Sequence, residues 1–206
     1  PFSIKNRLSE GAWLENETLT IHTNQQPFNM LVHELALQGK HNLYNSMAAG
    51  IAARLVEIRN ENLRESLADF ENIEHRLEFV TRVHGIDFIN DSKATNPHAA
   101  QASLFSSTSS IWIAGGLAKG AHFEELIDKC KGRIKSALLI GTDRELIATE
   151  LEKHGIEFYR IDGENVMENA VLKARELAEP GDTVLMAPAC ASMDQFKNYS
   201  DRGDQF

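Results

Sequence analysis

The chain has 206 residues, 42% hydrophobic and 25% charged, with a formal net charge of -9. That length suffices for one large or two small domains with buried cores, and the composition is that of an ordinary soluble protein. The acidic balance excludes a protein built to coat nucleic acid or an anionic membrane, although a local basic cluster would still suffice to bind a nucleotide.

No apolar run approaches the ~20 residues needed to span a bilayer, and no signal peptide opens the sequence. Cys130 and Cys190 lie far apart without metal-ligand spacing, which fits a reducing cytoplasm. Beginning at Pro1 and stopping at Phe206 without a tapering tail, the sequence reads as a fragment of a longer chain.

Residues 1–30 read as short strands. Ala12, Trp13 and Leu14 precede a turn at Glu15-Asn16-Glu17, after which Leu19 and Ile21 alternate with Thr18, Thr20 and His22. A further short segment at Leu35-Ala36-Leu37 runs into Gly39. Asn42 stands where a helix N-cap is expected, before apolar residues at helical spacing from Ala48 to Ile58. A second helix is expected over 63–70.

From His75 onward the pattern changes to short apolar runs alternating with amphipathic stretches. Strands are expected at 87–90, 110–114, 136–140, 157–161 and 183–187, and helices at 97–106, 123–131, 144–154 and 166–178. This alternation predicts an α/β fold, a doubly wound, mainly parallel sheet with helices on both faces. Ligands of such sheets collect at the carboxyl ends of the strands.

Three strand-end loops and one junction are rich in chemistry. Asn90-Asp91-Ser92-Lys93-Ala94-Thr95-Asn96 places an amide, a carboxylate, hydroxyls and an ammonium immediately before a helix. Gly115-Gly116-Leu117-Ala118-Lys119-Gly120 lets backbone approach a ligand and adds a point charge. It lacks the Gly-Lys-Ser/Thr ending of a phosphate-binding P-loop. Pro188-Ala189-Cys190-Ala191-Ser192 ends at a serine placed where a helix is expected to start. His75-Arg76-Leu77-Glu78 lies at the junction of the two regimes, where an interdomain cleft is expected.

Taken singly, a polar run before a helix is ordinary capping chemistry and a Gly-Gly after a strand ordinary turn chemistry. Their common placement at strand ends gives them weight. The eight histidines show no ligand spacing, and no partner in sequence marks Cys190 as a nucleophile.

Together these segments resemble the Mur ligase family, and within it the members that add D-glutamate. The resemblance runs in family order from Gly39-Lys40-His41-Asn42-Leu43-Tyr44-Asn45 through the four segments above to Met193-Asp194-Gln195-Phe196-Lys197-Asn198 and Arg202-Gly203. It implies an ATP-dependent, amide-forming enzyme of peptidoglycan synthesis, cytoplasmic and needing Mg2+. ATP phosphorylates the carboxylate of UDP-N-acetylmuramoyl-L-alanine, and D-glutamate attacks the acyl phosphate.

By the same resemblance, residues 1–73 correspond to the end of a central ATP-binding domain and 74–206 to a Rossmann-like amino-acid-binding domain. Asn42, Asn45, Arg76, Asp91 and Lys93 correspond to nucleotide-binding positions, and Thr95, Lys119, Ser192 and Tyr199 to the D-glutamate pocket. Tyr199 stands where the family usually has Phe, Leu117 where an acid is frequent, and Glu74 where Pro is usual. The P-loop, the uridine-binding domain and the carbamylated lysine that holds magnesium are expected before Pro1, so the chain alone is expected to be inactive. The alternative is a non-catalytic nucleotide- or acidic-ligand-binding module of the same fold. A Rossmann-type oxidoreductase ranks last, because no Gly-x-Gly-x-x-Gly follows a strand.

Overall fold

A computed structural model describes residues 1–23, 25–37, 39–70 and 73–206; the side chains of Lys40 and His41, part of the first family-like segment, lie outside the described set. The chain divides into two compact units, Pro1–Asn72 and Ile73–Phe206.

The first unit carries a four-stranded sheet in the order β1-β2-β3-β4, formed by Phe2–Ser3, Gly11–Glu15, Thr18–His22 and Phe28–Leu31. β1 runs parallel to β2 and the other pairs are antiparallel. Leu19 and Ile21 alternate with half-exposed threonines, so their common face points inward. Helices α1 (Lys40–Leu55) and α2 (Asn60–Ala68) supply Leu43, Met47 and Leu63 to the same core as Phe28 and Met30.

Leu35-Ala36-Leu37, expected as a further short segment, is a run of bends after a short 3-10 turn, with Leu35 buried in the core. Two readings need correction in this unit. Asn42 is not the N-cap. Gly39, at φ 96°, occupies that position and its carbonyl accepts from Leu43 N at 3.0 Å, which makes Asn42 the third residue of α1. α2 starts at Asn60, because the Arg59 carbonyl already receives Leu63 N.

The second unit holds a six-stranded sheet in the order β5-β6-β10-β7-β8-β9. Its strands are Glu78–Val83, Ile86–Asn90, Ser110–Gly115, Ile134–Ile140, Phe158–Arg160 and Thr183–Met186, numbered β5 to β10 in chain order. All pairs are parallel except β5 with β6. The helices are α3 (Pro97–Leu104), α4 (Glu124–Cys130), α5 (Arg144–Lys153), α6 (Val166–Leu177) and α7 (Tyr199–Gln205).

Alternation along the central strands divides the core in two. Trp112, Ala114, Ala137, Leu139 and Leu185 pack with α3, α4 and α5 on one face. Ile111, Ile113, Leu138, Ile140, Val184 and Met186 pack with α6, Phe196 and Phe206 on the other. Chain direction explains the partition. The steps from β6 to β7, β8 and β9 all move the same way across the sheet, and the step from β9 to β10 moves back. Right-handed crossovers therefore send α6 to the opposite face from α3, α4 and α5.

The expected parallel α/β architecture is present, with differences at its margins. β5 was not expected, although Phe79, Val80, Thr81 and Val83 favour a strand; five of its six residues are exposed and it pairs only with β6, so no buried face patterns it. Ser192 does not start a helix. Gln195 and Phe196 donate to its carbonyl in a single turn, and the helix begins only at Tyr199, where the Asn198 side chain accepts from Asp201 N at 2.9 Å.

At the opposite edge of the sheet, Asp182 accepts from Ser109 Oγ at 2.6 Å, Glu179 N at 2.8 Å and Lys135 Nζ at 2.7 Å. Burial alone would raise its carboxyl pKa, but Lys135, Ser109 and the Glu179 amide outweigh it and hold the group below the usual carboxylate range. The resulting stabilisation is present above the unfolded-state pKa of about 3.9 and is lost as pH falls through the lower folded value. Asp182→Asn is expected to lower stability at pH 7 by about 1–3 kcal/mol and to flatten the acid limb of the stability curve, as measured by urea unfolding between pH 2 and 7.

Candidate functional site

The loops after β6, β10, β7 and β8 meet at the carboxyl edge of the second unit's sheet. Loops leaving β6 and β7 turn to helices on one face, and the segment leaving β10 ends in α7 on the other. The edge is thus the topological switch point at which open α/β sheets bind ligands.

Backbone contacts hold these loops to one another. Ala189 N donates to Ala94 O at 2.9 Å, Gly115 N to Pro188 O at 2.8 Å, and Leu117 pairs with Ala191 as an isolated antiparallel bridge. Gly116, at φ 132°, runs so close to the Ala191 carbonyl that a Cβ would collide with it. The short loop after β8 completes the set. Asp143 Oδ2 accepts from Ala118 N at 2.8 Å, and Asp194 Oδ2 accepts from Thr142 N at 2.8 Å. Sequence reading missed this loop, although Gly141 directly after a strand and Asp143 before a helix were the available signal.

Arg202 fastens α7 beneath the loops. Its guanidinium is fully buried, with Nε 3.0 Å from Ser92 Oγ, Nη2 2.8 Å from Ser92 O and Nη1 3.2 Å from Cys190 O. No carboxylate stands within ion-pair distance of it among the described residues. Burial pulls its pKa down to about 10, with Cys190 and Asp194 acting the other way, so the group stays charged at neutral pH. Asn90 adds a second tie. Its Oδ1 accepts from Ser92 N at 3.2 Å, and its Nδ2 reaches Gly203 O at 3.1 Å and His75 Nδ1 at 3.0 Å. Gly203 packs against the His75 ring so closely that it leaves no room for a Cβ. Arg202 and Gly203 stand out in the sequence only as a dipeptide; their contacts with Ser92, Asn90 and His75 span more than a hundred residues.

The residues singled out in the sequence fall into four groups. Asn42 and Asn45 are three residues apart on α1 of the first unit, hence on one helix face. In the second unit, Arg76 is half-buried in the segment before β5, and Asp91 is buried with its carboxylate accepting from Ser103 Oγ on α3. Thr95, Lys119 and Ser192 occupy the three interlocked loops, and none of their side chains has a hydrogen-bond partner among the described residues. Lys119 is exposed and takes a left-handed backbone at φ 50°. Lys93 Nζ lies 3.2 Å from Tyr199 Oη and 4.6 Å from the centre of its ring.

The arrangement presents two hydroxyls and an ammonium, without internal partners, on a backbone frame fixed from below. It suits a small anionic ligand. Among the described residues, no three His, Cys, Asp or Glu side chains converge to hold a metal ion, and no helix is long and apolar enough to cross a membrane.

Residues 75–190 match the family described as Mur ligase, glutamate ligase domain. The chain belongs to the Mur ligase family. Two curated relatives named UDP-N-acetylmuramoylalanine–D-glutamate ligase, from Christiangramia forsetii and Bacteroides thetaiotaomicron, are 42% and 44% identical over 100% of this chain and 46% of their own length. The chain thus spans about half the length of the curated relatives it matches. A murein peptide ligase from Psychrobacter arcticus matches with a TM-score of 0.65 at 17% identity over 91% of this chain and 42% of that one, a likeness of fold alone.

Burial pushes the Cys130 thiol up to about 11 and the Cys190 thiol up to about 12, so little thiolate forms in either case. Both are expected to resist iodoacetamide at pH 8 in the folded protein and to react once it is denatured, as read by intact mass. Alkylation of Cys190 in the native state would show that the loop after β10 opens.

Proposed function

We propose that the chain is the carboxy-terminal part of an ATP-dependent ligase that joins D-glutamate to UDP-N-acetylmuramoyl-L-alanine in bacterial peptidoglycan synthesis. The observation that carries the reading is the placement of Thr95, Lys119 and Ser192 on three strand-end loops joined by backbone hydrogen bonds, with no partner for the two hydroxyls or the ammonium among the described residues. Relatives bearing that name, matched along the whole chain, support it.

In this reading ATP phosphorylates the terminal carboxylate of the nucleotide-sugar substrate. The amine of D-glutamate then attacks the acyl phosphate, and an amide forms as phosphate leaves. The second unit binds and orients the amino acid. Lys119 pairs with one carboxylate, Thr95 and Ser192 donate hydrogen bonds, and Tyr199 closes the pocket. Asn42 and Asn45 contact the adenine, Arg76 the phosphates, and Asp91 and Lys93 the nucleotide. The first unit is the end of the ATP-binding domain. Magnesium belongs to the full-length protein, and no step here passes through it. The chain alone is inactive, and the full-length enzyme is cytoplasmic.

An NMR titration tests the pocket. D-glutamate is expected to shift the amides near Thr95, Lys119 and Ser192, with L-glutamate as a silent control. Equal responses to the two isomers, or shifts confined to other loops, would remove the assignment.

Lys119→Ala deletes an exposed loop charge and no core volume. It is expected to weaken D-glutamate binding at least about tenfold, the scale of one charge-assisted hydrogen bond, while the melting temperature stays unchanged. Unaltered affinity would show the pocket to lie elsewhere.

A further inference from the structure

Lys93 lies in sequence between Asp91, assigned to the nucleotide, and Thr95, assigned to the amino acid. An exposed lysine is ordinarily a mobile charge, with roughly 2 kcal/mol of rotamer entropy to lose on being fixed. Here the ammonium sits against Tyr199, 3.2 Å from its hydroxyl oxygen and 4.6 Å from its ring centre. No carboxylate stands within ion-pair distance of it among the described residues.

The tyrosine is itself held. It is the first residue of α7, under the Asn198 cap. Its carbonyl accepts from Ser92 Oγ at 2.6 Å, and that hydroxyl is anchored by Arg202. Its ring meets His75 edge-on, with centroids 6.5 Å apart at 76°. A flexible cation without a counter-ion is therefore tied to a rigid aromatic at the mouth of the site.

We propose that Tyr199 is a positioning residue for Lys93, holding the ammonium over the site so that it receives an anionic oxygen of the ligand. The ring supplies the cation–π contact and the hydroxyl accepts a hydrogen bond. Together they remove part of the entropy loss that the ligand would otherwise meet. The oxygen belongs either to a carboxylate of the amino acid or to a phosphate of the nucleotide. The inference rests on the ligase reading above.

A double-mutant cycle in the full-length ligase is the test. Wild-type turnover that depends on D-glutamate and ATP checks the reading itself; without it both fall. Given turnover, Tyr199→Phe, which keeps the ring and removes only the hydroxyl, is expected to raise the KM of one anionic substrate about two- to fivefold, the scale of a single net hydrogen bond. Tyr199→Leu is expected to raise the same KM further, with kcat little changed in both. A change in the D-glutamate KM identifies the carboxylate, and one in the ATP KM the phosphate. In a Lys93→Met background, Tyr199→Phe should add nothing. Additive effects, or an equal change in every substrate's KM, would overturn the proposal while leaving the ligase reading intact.

Discussion

The insertion of β10 between β6 and β7 governs the architecture of the second unit. A parallel strand reached by a return crossover brings its helix to the face that the forward crossovers leave bare. One step of the chain therefore covers the second face of the sheet and sets three strand ends side by side. Met186 O receives Asp91 N at 2.7 Å, and Ile113 O receives Ala187 N at 3.3 Å. The loops after β6 and β7 are thus both spliced to the segment that follows β10, and the positions of Thr95, Lys119 and Ser192 follow from that splice.

Electrostatics at this edge are unusual for their economy. Arg202 is an ion taken wholly out of water, and its compensation comes from carbonyl oxygens and a hydroxyl rather than from a carboxylate. Such burial costs several kcal/mol unless the hydrogen bonds are well made. No carboxylate stands within ion-pair distance of the guanidinium among the described residues, and Asp194 acts on it only from farther away. Asp143 and Asp194, the nearby acids, spend one oxygen each on loop amides. The acids thus brace the frame.

Much of this was legible in the sequence, and the exceptions have physical causes. β7, β8 and β10 are buried on both faces, so they read as continuous apolar runs, and α3 announces itself by Asn96 as cap and Pro97 at its first position. β5 has one neighbour and little burial, so its strand-forming Phe79, Val80, Thr81 and Val83 do not alternate between a buried and a polar face, and propensity was the only signal. α7 contains Ser200, Asp201 and Gly203, poor helix formers, and is held by contacts from Arg202 and Gly203 to residues near Ser92 and His75. The loops that carry Thr95, Lys119 and Ser192 were legible because strand ends can be counted along a sequence. Asn90, Asp143 and Arg202 act through partners brought near only by the fold, and no local pattern encodes such a meeting.

The place of β10 in the chain has a consequence for biosynthesis. Emerging from the ribosome, β6, β7, β8 and β9 appear in order, but the slot between β6 and β7 stays vacant until residues 183–186 arrive. Two inner strand edges face solvent through that interval, and unpaired edges are templates for association between chains. The bonds from Arg202 to Ser92 span 110 residues and form later still. Nascent molecules therefore pass through a stage in which most of the sheet has been made but its carboxyl edge has not closed, and quality control acting before residues 183–186 would meet a sheet divided in two.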